Sequence, residues 1–217
     1  MSHPPMPPFP ERIAALPRND RGFPVPFFVE TVNGKPDFRM VRREAIAECV
    51  QQHRCWICGG KLGSWQSFVV GPMCCVSRTS AEPPSHRQCA EFAVQACPFM
   101  LQPDMVRRED DLTRKIEAEV PQPGEMIKRN PGVTAIWTTK MWALFPDGKG
   151  QTLFRMGNVS HLSWWREGRA ATFAEVAESI RTGASSLEKL CPDKLAMLHL
   201  SELIENTIKL ARSTTHE

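Results

Sequence analysis

A chain of 217 residues with 41% hydrophobic and 24% charged residues carries enough apolar material for a packed core, which excludes wholesale disorder. No run reaches the roughly 18 apolar residues of a membrane span, and the opening MSHPPMPPFP lacks the basic start and apolar stretch of a secretory signal, so the expectation is a cytoplasmic protein with no membrane partner. A net charge of +3 is mildly basic and by itself names no partner.

Eight of the 19 prolines fall in the first 26 residues. Their fixed φ and missing N–H donors predict a proline-rich extended arm over 1–26, without regular structure, that packs over the protein or frays. PFFVETVNGKPDFRMV then alternates as a hairpin would, with Asn33 and Gly34 at the turn. Val41 to His53 reads as a helix with Val41, Ala45, Ile46, Cys49 and Val50 on one face. It leads into a block where Cys55, Cys58, Cys74, Cys75, Cys89 and Cys97 fall within 43 residues. The two remaining cysteines, Cys49 and Cys191, lie in helical patterns and are expected in the core.

Residues 105–120 predict a charged helix, and the breakers Pro121, Gln122, Pro123 and Gly124 mark a boundary. They are expected to divide a cysteine-rich region over 27–120, read as zinc-binding from its ligand spacing, from a sheet-plus-helix region over 125–217. Beyond them VTAIWTT, MWALF, QTLFRM and HLSWW predict a small antiparallel sheet. Thr172 and Glu175 form a capping box opening a helix that Gly183 is expected to end. Pro192 to Arg212 places Leu195, Leu198, Leu203, Ile204 and Ile208 on one side of a last amphipathic helix. The fold class expected is α+β.

Within the cysteine block, Cys55 and Cys58 form a CxxC followed by Gly59 and Gly60, so two thiolates on a tight turn can face one ion. His86 and Cys89 follow Pro83, Pro84 and Ser85, which start helices, and are expected three apart on one face of a first turn. Three sulfurs and one nitrogen suit tetrahedral Zn2+ in a closed, structural site. A disulfide framework, a redox CxxC and an iron–sulfur cluster are the competing readings. A reducing compartment, the strain of pairing adjacent Cys74 and Cys75, and the glycines after the CxxC weigh against the first two. On a strand, Cys74 and Cys75 would face opposite sides, so one of them can approach the ion, and either can replace His86. Cys97 lies eight residues past Cys89, about 12 Å along a helix, and reads as a core residue or an additional ligand.

A knuckle, a hairpin in the 27 residues between Cys58 and His86, and a helix giving the last two ligands resemble a treble-clef zinc module over residues 50–100. The block also resembles the treble-clef version of HNH endonucleases, where a segment of the type DHIVPLSR carries the catalytic histidine. The corresponding stretch here, Gly71 to Arg78, holds no histidine or carboxylate, so the resemblance implies the fold rather than the nuclease chemistry. CWICGG, FVVGPMC, EPPSHRQCA, ACPF and SWWREGRAATFAEV together are similar to a set of uncharacterised bacterial and bacteriophage proteins.

Outside the block, Trp165, Arg166 and Arg169 put an aromatic beside guanidinium groups, a set able to stack a base and hold a phosphate. Residues 1–108 carry a net +4, which adds Arg78 and Arg87 as candidate nucleic-acid contacts. No HExxH, GxSxG, phosphate loop or zinc-deaminase pattern is present. The expected function is a zinc-binding module without catalytic activity that contacts nucleic acid or another protein. The alternatives are a diverged HNH-like nuclease, an enzyme using Cys74 or Cys75 as nucleophile, and a structural or assembly protein.

Overall fold

The computed structural model describes residues 6–102 and 130–215, so the expected helix at 105–120 and the breakers at 121–124 lie outside the described residues. The proline-rich stretch is more ordered than expected. Pro10, whose φ suits a helix start, is the N-cap of a one-turn helix α1, Glu11–Ala14. Its Ile13 is buried against the cysteine block. β1 (Val29–Val32) and β2 (Lys35–Val41) form the expected hairpin. Asn33 and Gly34 both take positive φ there, as a two-residue turn of this type requires. Because β2 runs to Val41, the next helix starts later than the spacing suggested. α2 spans Ala45–Gln52 and turns Ala45 and Cys49 onto Trp56.

The cysteine block continues with β3 (Gln66–Val70), α3 (Pro72–Ser77), β4 (Thr79–Ser80), α4 (Arg87–Ala96) and α5 (Pro98–Leu101). Past residue 130 come β5 (Thr134–Thr139), β6 (Trp142–Pro146), β7 (Thr152–Met156), β8 (His161–Arg166) and β9 (Arg169–Ala170), then two long helices, α6 (Phe173–Glu188) and α7 (Lys194–Thr214). The strands make two larger antiparallel sheets, ordered β3-β5-β8-β9 and β4-β7-β6. The sheet expected within 125–217 therefore takes β3 and β4 from the cysteine block, across the anticipated boundary. The hairpin expected between Cys58 and His86 is replaced by β3, α3 and β4. The physical reason lies in β5, whose six residues are all buried. In such a strand, covered on both faces, water cannot reach the backbone polar groups, so both edges must be hydrogen-bonded, and β3 supplies one partner and β8 the other.

Alternation along β5 sends Ala135 and Trp137 into the main core with Phe68, Phe154 and Met156, and Ile136 to the opposite face against Ala90 and Val94 of α4. Thr172 and Glu175 form the expected capping box. Gly183 does not end α6. A methyl group there would lie 3.1 Å from Met73 Cγ, so the glycine lets α6 pass close to α3 while the helix continues. α7, capped by Asp193, packs Leu200, Leu203, Ile204, Ile208 and Ala211 on the core. Leu195 and Leu198, expected on that face, are 76% and 57% exposed.

Candidate metal centre

The knuckle closes on itself through backbone bonds. Cys55 N–H donates to the Gly60 carbonyl and Gly59 N–H to the Cys55 carbonyl, each at 2.8 Å. Gly59 takes φ +69°, and any Cβ would strike the Phe27 ring at 2.6 Å, so glycine is required there. Two ties bring the second ligand pair in. Ser67 and Ser85 exchange backbone bonds of 2.9 and 2.7 Å, and Trp56 N–H donates to the Pro84 carbonyl. They deliver the chain to α4 with His86 as its N-cap and Cys89 in its first turn, so His86 stands one residue before the helix rather than within it.

The ligand atoms of Cys55, Cys58, His86 and Cys89 lie within 4.8 Å of one another. His86 Nδ1 is 3.3 Å from Cys58 Sγ and 3.9 Å from Cys89 Sγ. A tetrahedral zinc with bonds of about 2.3 Å to sulfur and 2.0 Å to nitrogen sets S···N near 3.5 Å, so the donor set fits such an ion after a small contraction. His86 Nε2 is 2.9 Å from the Lys61 carbonyl. A proton on Nε2 fixes the tautomer that leaves Nδ1 bare for a metal. Two backbone N–H groups, of Cys58 and His86, each point at Cys55 Sγ from 3.4 Å.

Electrostatics favour a thiolate here. Hydrogen bonding from Cys58, then Cys89, drives the Cys55 thiol well below its ordinary range, while bonding to Cys55 pushes the Cys58 and Cys89 thiols up. The sulfur partnership with Cys55 likewise raises His86. Cys89 also sits in the first turn of α4, where the helix dipole favours negative charge. Over Gly60 three groups meet: a methyl there would be 3.3 Å from Arg12 Nη1, 3.4 Å from Cys58 Sγ and 3.6 Å from His86 Cε1. Nothing in the proline-rich sequence marked Arg12 as a neighbour of the cysteines, because only the folding-back of α1 brings it there.

The remaining candidate residues go elsewhere. Cys74 and Cys75 lie on α3 rather than on a strand and pack with the main core, outside the four-residue cluster. Burial pushes the Cys74 thiol up to about 11 and Cys75 well above its ordinary value. Cys97 ends α4 and begins α5. Of the candidate nucleic-acid contacts, Arg87 pairs with Glu91 at 2.8 Å. Arg169 pairs with Glu175 at 2.6 Å, and Arg166 pairs with the same carboxylate at 3.4 Å. Trp165 packs on the Ile136 cluster and donates to Ser163 Oγ. Arg78, Arg87 and Arg169 are exposed, and of these Arg78 alone forms no ion pair with the described residues, its guanidinium donating to Asn158 Oδ1 at 3.3 Å.

The fold and the site together define an α+β protein with a Cys3His cluster that can hold a metal ion. Comparison with protein-family models, with curated proteins and with solved structures finds no match to the chain.

Proposed function

We propose that the cluster is a structural Zn2+ site and that the protein is a zinc-stabilised binding module whose partner is nucleic acid. The observation that carries the metal reading is the convergence of four donors from two separate segments, with the imidazole already held by Lys61 in a ligating tautomer. Four protein ligands leave zinc no open position for a water, which supports a structural rather than catalytic ion. Half-buried Cys74 and buried Cys75, with thiols held protonated, lack the thiolate character a nucleophile needs, and this favours binding over chemistry. The treble-clef and HNH-like resemblance of the sequence accords with a nucleic-acid partner.

Metal analysis of protein purified without added zinc tests the reading. The expected result is about one zinc per chain, lost in Cys55→Ser and Cys89→Ser, with cobalt replacing it to give the visible spectrum of tetrahedral sulfur ligation. Iron with acid-labile sulfide in its place would overturn it in favour of a cluster. A second reading, assembly through self-association, rests on the exposed Leu190, Leu195 and Leu198 where α6 meets α7. Solution mass measured across a concentration series tests it: a constant monomer mass removes that reading.

A further inference from the structure

Several of the cations of this protein are already engaged by carboxylates. Arg39, Arg42, Arg87, Arg166 and Arg169 each hold a carboxylate at 2.6–3.4 Å. Lys140 and Arg78 hold none among the described residues and lie over aromatic rings instead, as Arg18, Arg54, Arg155 and Arg212 also do; Lys140 differs from those four in that its ring is exposed rather than half-buried. Lys140 Nζ is 4.4 Å from the centroid of Trp65, and the Arg78 guanidinium is 5.9 Å from that of Trp137. Trp65 is 52% exposed, an unusual outlay of apolar surface for an indole, and Met141 beside Lys140 is 75% exposed.

These groups share one stretch of surface, and the sheet register shows why. Gln66 pairs with Thr139, so Trp65 and Lys140 are the next residues out from the paired ends of β3 and β5. After Met141 the chain enters β6, and Gly157 at the end of β7 donates to the Met141 carbonyl at 2.9 Å. A side chain at residue 157 would collide with that carbonyl, so the two segments are in close contact. Asn158 follows and receives Arg78. A line therefore runs from Trp65 through Lys140, Met141 and Asn158 to Arg78: an exposed indole beside one cation, with a second cation at the far end.

We infer that this line is the nucleic-acid contact and that it takes a single-stranded segment, with phosphates on Lys140 and Arg78 and a base stacked on Trp65. The inference rests on the reading of the protein as a nucleic-acid-binding module and gives that reading a place on the molecule. Each nucleotide brings an anion and a flat ring at short, fixed spacing, which matches cations interleaved with an indole. An acidic peptide would satisfy the cations but gives the indole no partner. A duplex offers phosphates but keeps its bases stacked inside.

The test uses the full chain with its metal content measured first. A fluorescein-labelled mixed-sequence 20-mer DNA is titrated by anisotropy, as a single strand and as a duplex, at two salt concentrations. The single strand is expected to bind more tightly than the duplex. Trp65→Ala should weaken it about 5- to 100-fold, the usual effect of removing one stacking ring. Lys140→Ala and Arg78→Ala should each lower the slope of log K against log salt by about 0.7, as loss of one single-strand phosphate contact does. Lys35→Glu, a larger charge change at the exposed tip of the β1–β2 hairpin, should leave affinity nearly unchanged. All four side chains are exposed, so melting temperature and metal content serve as controls for folding. Metal-loaded protein that binds no strand at low salt overturns the inference while leaving the zinc site standing. So does equal binding of duplex with Trp65→Ala silent, or loss of binding in Lys35→Glu as large as in the patch variants. Absence of metal in the starting protein instead overturns the zinc reading.

Discussion

The zinc proposed for the Cys3His cluster would carry one net negative charge with three thiolates and a neutral imidazole, and Arg12 places a guanidinium beside that cluster over Gly60. The pair is solvent-facing and screened, so its contribution is modest. Arg12→Ala is expected to weaken zinc retention about two- to fivefold, the scale of one exposed charge pair, read by competition with a chromophoric chelator. Arg12→Lys should recover part of the loss, since Lys keeps the charge but not the planar contact. Unchanged affinity in Arg12→Ala would show that the guanidinium is a bystander. A second residue sets acid behaviour. Bonding to Arg169, with help from the Thr172 backbone and hydroxyl, holds Glu175 down to about 2 from an ordinary 4.5. A carboxylate lowered on folding contributes its full stability above the unfolded value and loses it as pH falls toward the folded one. Glu175→Gln should therefore flatten the pH dependence of unfolding between about 4.5 and 2, measured by urea denaturation, and lose part of the capping box at all pH values.

At the scale of elements, α7 shows where helical spacing stops being informative. Its periodic leucines were readable from sequence, but a helix with apolar residues on more than one side does not say which of them the core covers. Leu200 is 7% exposed against the core, on the same face as buried Thr207 and Ala211, whereas Leu198 lies on the opposite side of the helix from Thr207 and Leu195 also faces outward. Leu200→Ala should cost about 2–4 kcal/mol in chemical denaturation. Leu195→Lys and Leu198→Lys should fall within about 0.5 kcal/mol of the parent. A large cost at Leu198 would mean that something covers that turn in solution. The same limit explains the other departures. The CxxC, the turn at Asn33 and Gly34, and the Thr172 capping box are local chemistry and were legible. The pairing of β3 with β5 joins residues some 70 positions apart, and no local pattern encodes that choice. Cys74 and Cys75 followed from this error: with a hairpin expected at Gly71, they belonged on a strand near the metal, whereas Pro72 in the first turn of a helix sends them into the core.

Over the whole molecule, the buried side chains around the Cys3His cluster form a cluster separate from the main core. Ile13, Cys55, Ile57, Leu62, Cys89, Phe92 and Ala96 make the first; the second is built on both large sheets, α3, α6 and α7. A structural zinc contributes on the order of 10 kcal/mol, as much as a whole domain's typical stability, so its removal can undo whatever depends on it cooperatively. The small cluster has little else to hold it. The main core keeps its own apolar contacts, and α4 is anchored to the other face of β5 through Ala90 and Val94 against Ile136, independently of Cys89. Chelation is therefore expected to release α1, the knuckle at 53–62 and the start of α4, and to leave the sheets folded. Hydrogen exchange followed by mass spectrometry reads this directly: peptides covering 9–16 and 53–62 should lose protection on chelation, while those covering β5 and β8 keep theirs. The half-buried Cys58 thiol should become reactive in the same step, and re-addition of zinc should reverse both changes. Simultaneous loss of protection in β5 would show instead that the two clusters fold as one unit, with the Ser67–Ser85 bridge transmitting the metal's contribution into the sheet.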